Sequence, residues 1–319
     1  MTSGGWSSPR LILISCPVIL SLSTDVALGV TIPKRNARGR TARLGASLDA
    51  VLANHKYPPV IEQLLAEALT LTALLGTLLK DKGGQMTLQA QTQGGIVDLL
   101  VCDYLGGELR GYVKHDPVRL AEAGPAPSLF ALFGKAYLAI TFDQPATDER
   151  YQGIVPLEGD SLAAAAQSYF AQSEQIPSLV RLAARKGDDG HWHAGGLLFQ
   201  HLPEGEEGRE RLHTRLDHPD WPHVAVLAGS VKAEELTDPK LPLDELVWRL
   251  FHEEEEIRTL EPIALSKGCR CDPDYVRSVI ARFPEEERVL MVGDDGFIRV
   301  DCAFCATSFP IHLDEADAM

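Results

Sequence analysis

The sequence predicts an α+β protein. It has an N-terminal domain of antiparallel sheet and helices, an acidic helical linker, and a small C-terminal domain organised by cysteines. Apolar residues recur at helical spacing in residues 60–79, whereas several other segments of the first 203 residues alternate apolar and polar side chains as strands do. Residues 204–268 hold sixteen acidic side chains against eight basic ones. Four of the six cysteines lie beyond residue 268.

These composition changes divide the chain into four predicted segments. Residues 1–23 are an N-terminal extension that we expect to be poorly ordered. Residues 24–203 form the α+β core domain, residues 204–268 the linker, and residues 269–319 the C-terminal domain. At 319 residues with 45% hydrophobic content, the chain is long enough for two domains with a real core.

The extension allows two interpretations. A mostly apolar stretch, Leu11–Leu22, follows Arg10, and the sequence before Cys16 resembles a lipoprotein cleavage site, so a secretion signal is one interpretation. However, the apolar run before Cys16 is only a few residues long. We therefore favour an extension that is not part of the folded protein, and we expect deletion of residues 1–22 to leave folding and activity intact.

The core domain begins with a predicted strand, Val26–Ile32, followed by the basic run Lys34–Arg40. That run is either an anion site or a solvated surface whose charges pair with acidic neighbours, and the second interpretation is favoured. A short helix is predicted at Leu48–Ala53. Val60–Leu79 is predicted to be the central core helix, because its leucines follow helical spacing and Gly83-Gly84 ends it.

Alternating residues separated by glycine pairs predict an antiparallel meander, which further strands and a helix follow. The predicted strands are Met86–Thr92, Ile96–Cys102, Leu109–Val113, Lys135–Phe142, Tyr151–Pro156, Leu179–Ala184 and His193–Phe199, and the predicted helix is Leu162–Gln172. Cys102 is predicted to be a buried core thiol. His191 and His193 suggest a metal site only weakly, since no third ligand lies nearby in sequence.

The prolines and negative charge of residues 204–268 favour a partly helical linker over a second core. Its best helix places five apolar residues on one face, here named the linker stripe: Leu243, Leu246, Val247, Leu250 and Phe251. This stripe is too apolar to be left in water. We therefore expect it to pack on the core domain, where the folded C-terminal domain stabilises it. When it is uncovered, we expect it to bind unfolding proteins.

The clustered cysteines form the pairs Cys269-Arg270-Cys271 and Cys302-Ala303-Phe304-Cys305, thirty residues apart. Zinc takes four tetrahedral ligands and binds thiolate sulfur well, so Cys269, Cys271, Cys302 and Cys305 are predicted to bind one Zn²⁺ per chain. Nearby Lys267, Arg270 and Arg277 are expected to offset part of the negative charge. A purely structural zinc ribbon and a redox-switching site both fit, since CxC can also close into a strained disulfide that is easily reduced.

Other classes of function lack their residues. The net charge of −15 argues against a nucleic-acid partner, and no apolar run of about twenty residues predicts a membrane span. A metalloprotease helix would need histidine where Glu256 stands, and a zinc deaminase would need proline where Asp301 stands. Neither a phosphate-binding loop nor a Gly-x-Ser-x-Gly elbow occurs. We therefore expect an ATP-independent binding protein and not an enzyme.

The cysteine pattern resembles that of the heat-shock protein 33 family of redox-regulated chaperones, and this resemblance covers roughly residues 25–313. Other similar stretches are Arg38-Gly39-Arg40, Arg43-Leu44-Gly45, Leu64–Gly76, Gly107–Tyr112, Tyr169–Ser178, Ala194–Pro203 and Trp248–Glu255. The resemblance implies a cytoplasmic stress-response holdase that is inactive with zinc bound. It also implies oxidation to the disulfides Cys269–Cys271 and Cys302–Cys305, zinc release, unfolding of tail and linker, homodimerisation, and binding of unfolded clients.

Two rival functions stay open on the sequence. A constitutive zinc-ribbon adaptor would recruit a partner protein without releasing metal. A thiol oxidoreductase would use Cys302 and Cys305, but it would want its CxxC pair at the start of a helix, whereas predicted strands flank this one.

Overall fold

The computed structural model describes residues 10–13, 24–79, 83–92, 94–202 and 219–313, and within them the chain is a mixed α+β protein as predicted. Its strands are β1 (Arg10–Leu13), β2 (Val26–Ile32), β3 (Ala37–Leu44), β4 (Gln85–Thr92), β5 (Val97–Leu105), β6 (Glu108–His115), β7 (Ala136–Gln144), β8 (Glu149–Pro156), β9 (Ser178–Lys186), β10 (Trp192–His201), β11 (Glu256–Thr259), β12 (Ile263–Ala264), β13 (Ser266–Lys267), β14 (Phe297–Asp301) and β15 (Ser308–His312). Its helices are α1 (Ala46–Leu52), α2 (Pro59–Gly76), α3 (Pro117–Glu122), α4 (Leu129–Phe133), α5 (Leu162–Tyr169), α6 (Asp220–Gly229), α7 (Ala233–Leu236), α8 (Leu243–Phe251), α9 (Pro273–Ile280) and α10 (Glu285–Met291).

Two sheets form the body of the described fold. The first has the order β1-β11-β2-β3-β10-β9 with β12 added beside β2, and the second has the order β13-β6-β5-β4-β7-β8. Strands β4, β5 and β6 form the predicted meander, with left-handed Gly106 (φ 57°) and Gly107 (φ 97°) in the tight turn between β5 and β6. Strand β7, which the sequence predicts as a further strand, lies on the other side of β4.

Helix α2 is the central core helix that the sequence predicts. It begins with proline at its first position and buries residues around most of its circumference, in one apolar cluster with side chains of both sheets. Among the described helices, it alone is long and apolar enough to cross a membrane by length and composition. Because 72% of it is buried inside the fold, its composition is explained by its place between the sheets.

The linker is built into the fold more deeply than the sequence analysis expected. Strands β11 and β12 pair with β2, so the linker extends the first sheet. Apolar linker residues also form a second core with β2, β3, β9 and β10, and these are Val224, Ala228, Val231, Leu236, Leu241, Leu243, Leu246, Val247, Phe251 and Ile257. The expectation that this segment adds no second core was therefore wrong, whereas its partly helical character is as predicted. Its apolar residues are spread over three short helices, the turns between them and a strand, so no long hydrophobic period marks them.

The predicted basic run is divided between a turn and an unpredicted strand. Lys34 pairs with Glu255 (3.3 Å), and Arg35 pairs with Asp220 and Glu254 (3.0 Å each). The remaining residues enter β3, whose run of arginines hides its β character from a pattern based on hydrophobicity. Carboxylates thus neutralise the start of the run, as the interpretation of paired charges expects.

Four residues of the predicted extension are ordered in a way that we did not expect. Arg10–Leu13 forms β1, which pairs parallel with β11 of the linker. Residues 1–9 and 14–23, which include Cys16 and most of the predicted disordered extension, lie outside the described residues.

The C-terminal segment, residues 269–313, is a small unit of helices α9 and α10 and the antiparallel hairpin β14–β15. Its buried apolar cluster consists of Ile280, Ile298 and Ile311, with four partly buried neighbours. A core of this size seldom stabilises a fold alone, so a segment of this kind needs additional stabilisation, for example by a bound metal ion.

Candidate metal centre

Backbone geometry brings the two cysteine pairs to one place. Cys269 and Cys271 follow β13 directly, and Cys302 and Cys305 occupy the turn between β14 and β15. That turn is closed by hydrogen bonds from Cys302 N to Thr307 O (2.9 Å) and from Ala306 N to Cys302 O (2.8 Å). Ala306 takes a left-handed φ of 54°, a conformation that is unusual for alanine and tightens the loop.

The four sulfur atoms form a compact group. All lie within 4.8 Å of one another, and Cys269 Sγ–Cys302 Sγ and Cys271 Sγ–Cys305 Sγ are each 3.7 Å apart. Four sulfurs at a zinc–sulfur distance of about 2.3 Å in a tetrahedron would lie about 3.8 Å from one another. The described thiols are free, because these distances far exceed a disulfide bond. The donor set therefore fits a tetrahedral thiophilic metal ion.

The thiols of Cys271 and Cys305 differ in their readiness to ionise. Burial, and after it the neighbouring thiols of Cys269 and Cys305, raise the pKa of Cys271 to about 12. Burial alone would also raise the pKa of Cys305, but hydrogen bonds from the Thr307 side chain and backbone, and then from Cys269 and Cys302, lower it to about 6. The surroundings of Cys305 thus favour the thiolate, which is the form that binds metal.

The residues inside the cysteine pairs contact the core domain. The ring of Phe304 lies 4.0 Å below the Arg110 guanidinium and packs edge-on against Tyr112, with ring centroids 4.9 Å apart. His55 Nε2 donates a hydrogen bond to Phe304 O at 3.2 Å. Arg270 Nη2 lies 3.3 Å from Oδ2 of buried Asp103. The cluster is therefore attached to the outer side of β5 and β6.

The arginines expected to offset the charge of the thiolates also pair with carboxylates. Arg270 pairs with Asp103, and Arg277 pairs with Asp274, one helical turn away. Both guanidinium groups are therefore engaged with carboxylates, and Arg270 also interacts electrostatically with the neighbouring Cys269.

Other candidate ligands lie apart from this cluster. Cys102 is fully buried against α2, and burial raises the pKa of its thiol far above the usual value, as a core role predicts. His191 Nδ1 pairs with Asp49 (2.7 Å) and His193 with Asp189 (3.4 Å), so the two rings have separate partners. Within the described ranges, the four clustered cysteines are the only group of three or more histidine, cysteine, aspartate or glutamate side chains whose ligand atoms are close enough to share an ion.

The linker stripe packs on the core domain, as the sequence analysis expected. Leu243, Leu246, Val247 and Phe251 are buried, and Leu250 is partly buried against the same cluster. The Phe251 ring packs on Phe199 of β10 with centroids 4.9 Å apart.

Sequence reasoning missed the residues that attach the cysteine loops. Asp103, Arg110 and Tyr112 look like ordinary strand residues, Phe304 looked like a spacer, and Arg270 was expected only to offset the thiolate charge. The one available signal was their position, because the middle residues of a metal-binding turn point away from the metal toward whatever lies next to it.

Comparisons with known proteins agree with this architecture. The model of the Hsp33 protein family matches residues 25–312. A 33 kDa chaperonin of Caulobacter vibrioides (strain NA1000 / CB15N) is 39% identical over 294 residues, which are 90% of this chain and 94% of that protein. The 33 kDa chaperonin of Escherichia coli O7:K1 is 34% identical over 273 residues, 85% of this chain and 87% of that protein.

The fold has a solved counterpart. The crystal structure of the 33 kDa chaperonin of Thermotoga maritima matches with a TM-score of 0.74 at 21% identity, over 92% of this chain and 97% of that one. The family match extends over nearly all of the described core, linker and cysteine segment. The chain therefore belongs to the Hsp33 family of chaperones.

Proposed function

We propose that this protein is a redox-regulated, ATP-independent holdase of the cytoplasm, which binds unfolding proteins under oxidative stress. The observation that carries the proposal is the group of four cysteine sulfurs within 4.8 Å of one another. On this proposal Cys269, Cys271, Cys302 and Cys305 hold one Zn²⁺ in the reduced, inactive state. The protein acts by binding clients and not by catalysis, with neither nucleic acid nor a membrane as partner.

The small core of the C-terminal segment makes the metal decisive for folding. Structural zinc supplies roughly 10–16 kcal/mol of apparent folding free energy, whereas whole domains are stable by about 5–15 kcal/mol. Oxidation of two thiols to a disulfide by peroxide removes two electrons and two protons and yields two water molecules. It also removes two ligands, so metal binding is lost and the segment unfolds.

The oxidised state is proposed to contain Cys269–Cys271 and Cys302–Cys305, as the family resemblance implies. Sulfurs also approach closely across the two pairs in this structure, since Cys269 Sγ–Cys302 Sγ and Cys271 Sγ–Cys305 Sγ are each 3.7 Å apart. Peptide mapping of the oxidised protein by mass spectrometry therefore tests the pairing directly. Disulfides across the pairs would contradict this part of the proposal.

Loss of the C-terminal segment is proposed to uncover the linker stripe. The stripe shares a core with β2, β3 and β10, so its release exposes apolar surface both on the linker and on the sheet. The dense negative charge of the linker would keep such a complex soluble, and uncovered surfaces of this kind also support the proposed homodimerisation.

One experiment separates this function from a constitutive zinc-ribbon adaptor. Zinc content, oligomeric state and suppression of client aggregation are measured before and after peroxide treatment. We expect one zinc per chain and little activity before treatment, then zinc loss, dimers and strong activity afterwards. Retention of zinc under peroxide with no gain of activity would favour the adaptor.

A further inference from the structure

The last six residues of the linker, residues 263–268, join the two sheets and end just before Cys269. We name them the clasp segment. Its first part is β12, which pairs antiparallel with β2 of the first sheet. Its last part is β13, which pairs parallel with β6 of the second sheet. Leu265 between them is buried in the main core. The clasp segment therefore binds two sheets at once.

Backbone hydrogen bonds hold the clasp segment along its length. Leu265 N donates to Asp25 O (3.0 Å), Ser266 N to Gly107 O (3.0 Å) and Gly268 N to Leu109 O (2.9 Å). The fit at its end is close, because a Cβ on Gly268 would lie 2.4 Å from the Glu108 side chain. Four residues upstream of the segment, β11 pairs with β2, so the segment and β11 follow the same edge of β2.

Arg270 holds the chain just beyond the clasp segment. It lies between the two cysteines of the CxC pair, and its Nη2 contacts Oδ2 of Asp103, whose side chain is 4% exposed. Asp103 also accepts hydrogen bonds from Arg110 Nε (2.7 Å) and Thr87 Oγ1 (2.7 Å). One terminal nitrogen of Arg270, Nη1, is buried without a hydrogen-bond partner in the described structure. Arg270 is therefore not the sole partner of the Asp103 carboxylate, which Arg110 and Thr87 also bind.

We propose that the clasp segment transmits the state of the CxC pair to the linker, and that Arg270 is the positioning residue that keeps it in place through Asp103. Movement of Cys269 and Cys271 out of their reduced arrangement withdraws Arg270 from Asp103. Strand β13 then separates from β6, Leu265 leaves the core, and β12 and β11 lose their C-terminal anchor on β2. This proposal rests on the proposed function, for which it supplies the route from cysteines to linker.

The same geometry keeps the core domain intact after release. Arg110 Nη2 lies 2.6 Å from Asp103 Oδ2, so the buried carboxylate keeps a charged partner when Arg270 leaves. A buried carboxylate without a partner would destabilise the fold strongly, and this arrangement avoids that penalty. The contact can therefore separate without unfolding the sheet on which it is made.

The test is hydrogen exchange of the full-length, reduced, zinc-loaded protein carrying Arg270→Gln. We expect amides of residues 263–268 and of Glu256–Thr259 to exchange about tenfold faster, as loss of a hydrogen bond to a charged group predicts. Zinc content should be unchanged, and activation should need less peroxide. Arg270→Lys should restore part of the protection.

Arg299→Gln is the matched control. It removes the same charge from the same segment, but its ion pair with Asp295 lies within the C-terminal segment and does not reach the core domain. We expect unchanged exchange in residues 256–268. Combining Arg270→Gln with Asp103→Asn should add little to the effect of Asp103→Asn alone, because that change already removes the charged partner of Arg270.

Three results would overturn the proposal. Unchanged exchange in residues 256–268 of the zinc-loaded Arg270→Gln protein would show that Arg270 does not anchor the linker. Loss of zinc in Arg270→Gln but not in Arg299→Gln would show that it acts on the metal site instead. Equal effects of both variants would point to net charge alone. If exchange changes as expected but peroxide never produces chaperone activity in the unaltered chain, the proposed function fails and the coupling stands.

Discussion

Leu246 lies in the linker stripe, where its side chain is 1% exposed against the sheet beneath it. Replacement by aspartate removes about 1.5–3 kcal/mol of apolar burial and adds the cost of desolvating a charge, which is several kcal/mol. Leucine-to-alanine changes in cores already cost about 2–5 kcal/mol. The total approaches the stability of a whole domain, so we expect Leu246→Asp to release the linker from the core domain.

The variant is expected to hold zinc and yet suppress aggregation without oxidant. Three measurements check this: zinc content, hydrogen exchange over residues 219–268, and aggregation of a thermally unfolding client. Trp248→Asp is the control on the same helix, because the Trp248 side chain is 44% exposed and stands outside the buried cluster. It should leave both exchange and activity close to those of the unaltered protein.

The reasoning would be refuted by one combination of results. If Leu246→Asp has an exposed linker and bound zinc but no activity, then unfolding of the C-terminal segment itself must create the client site. If the linker of Leu246→Asp stays docked, the free energy with which the linker binds the core domain exceeds the cost estimated above.

Further predictions concern the metal, pH and the N-terminus. Serine at any one of the four clustered cysteines should abolish full zinc occupancy in metal analysis, whereas Cys102→Ser should retain it; full occupancy in the former would contradict the ligand assignment. Burial lowers the pKa of His55 despite its hydrogen bond to Phe304 O, which raises it, so the fold with the C-terminal segment docked favours the neutral ring. Its stability should be greatest above the ordinary value of about 6.5 and fall as pH drops through the lower docked pKa. Urea unfolding of that segment should show this dependence, which His55→Gln should flatten. Deletion of residues 1–22 removes β1 and should speed hydrogen exchange of Glu256–Thr259 with little change in melting temperature; a large fall in melting temperature would show that the extension belongs to the fold.

The sequence alone determined the features that depend on neighbouring residues. Helix α2 follows from its leucine period, the β4–β6 meander from alternation and paired glycines, and the four-sulfur cluster from the CxC and CxxC pairs. Each of these signals is local, because a helix, a hairpin or a metal-binding turn is specified within a few residues.

Only the tertiary structure decided how these parts are joined. Pairing of β12 with β2 and of β13 with β6 connects residues far apart in the chain, and so does the contact of Arg270 with Asp103. Strands of two residues and single ion pairs leave no period in a sequence, because their stability comes from the surfaces they join. Whether the linker is free or built into the sheets is therefore a property of the folded molecule, and the same contacts connect the cysteine cluster to the surface it is proposed to control.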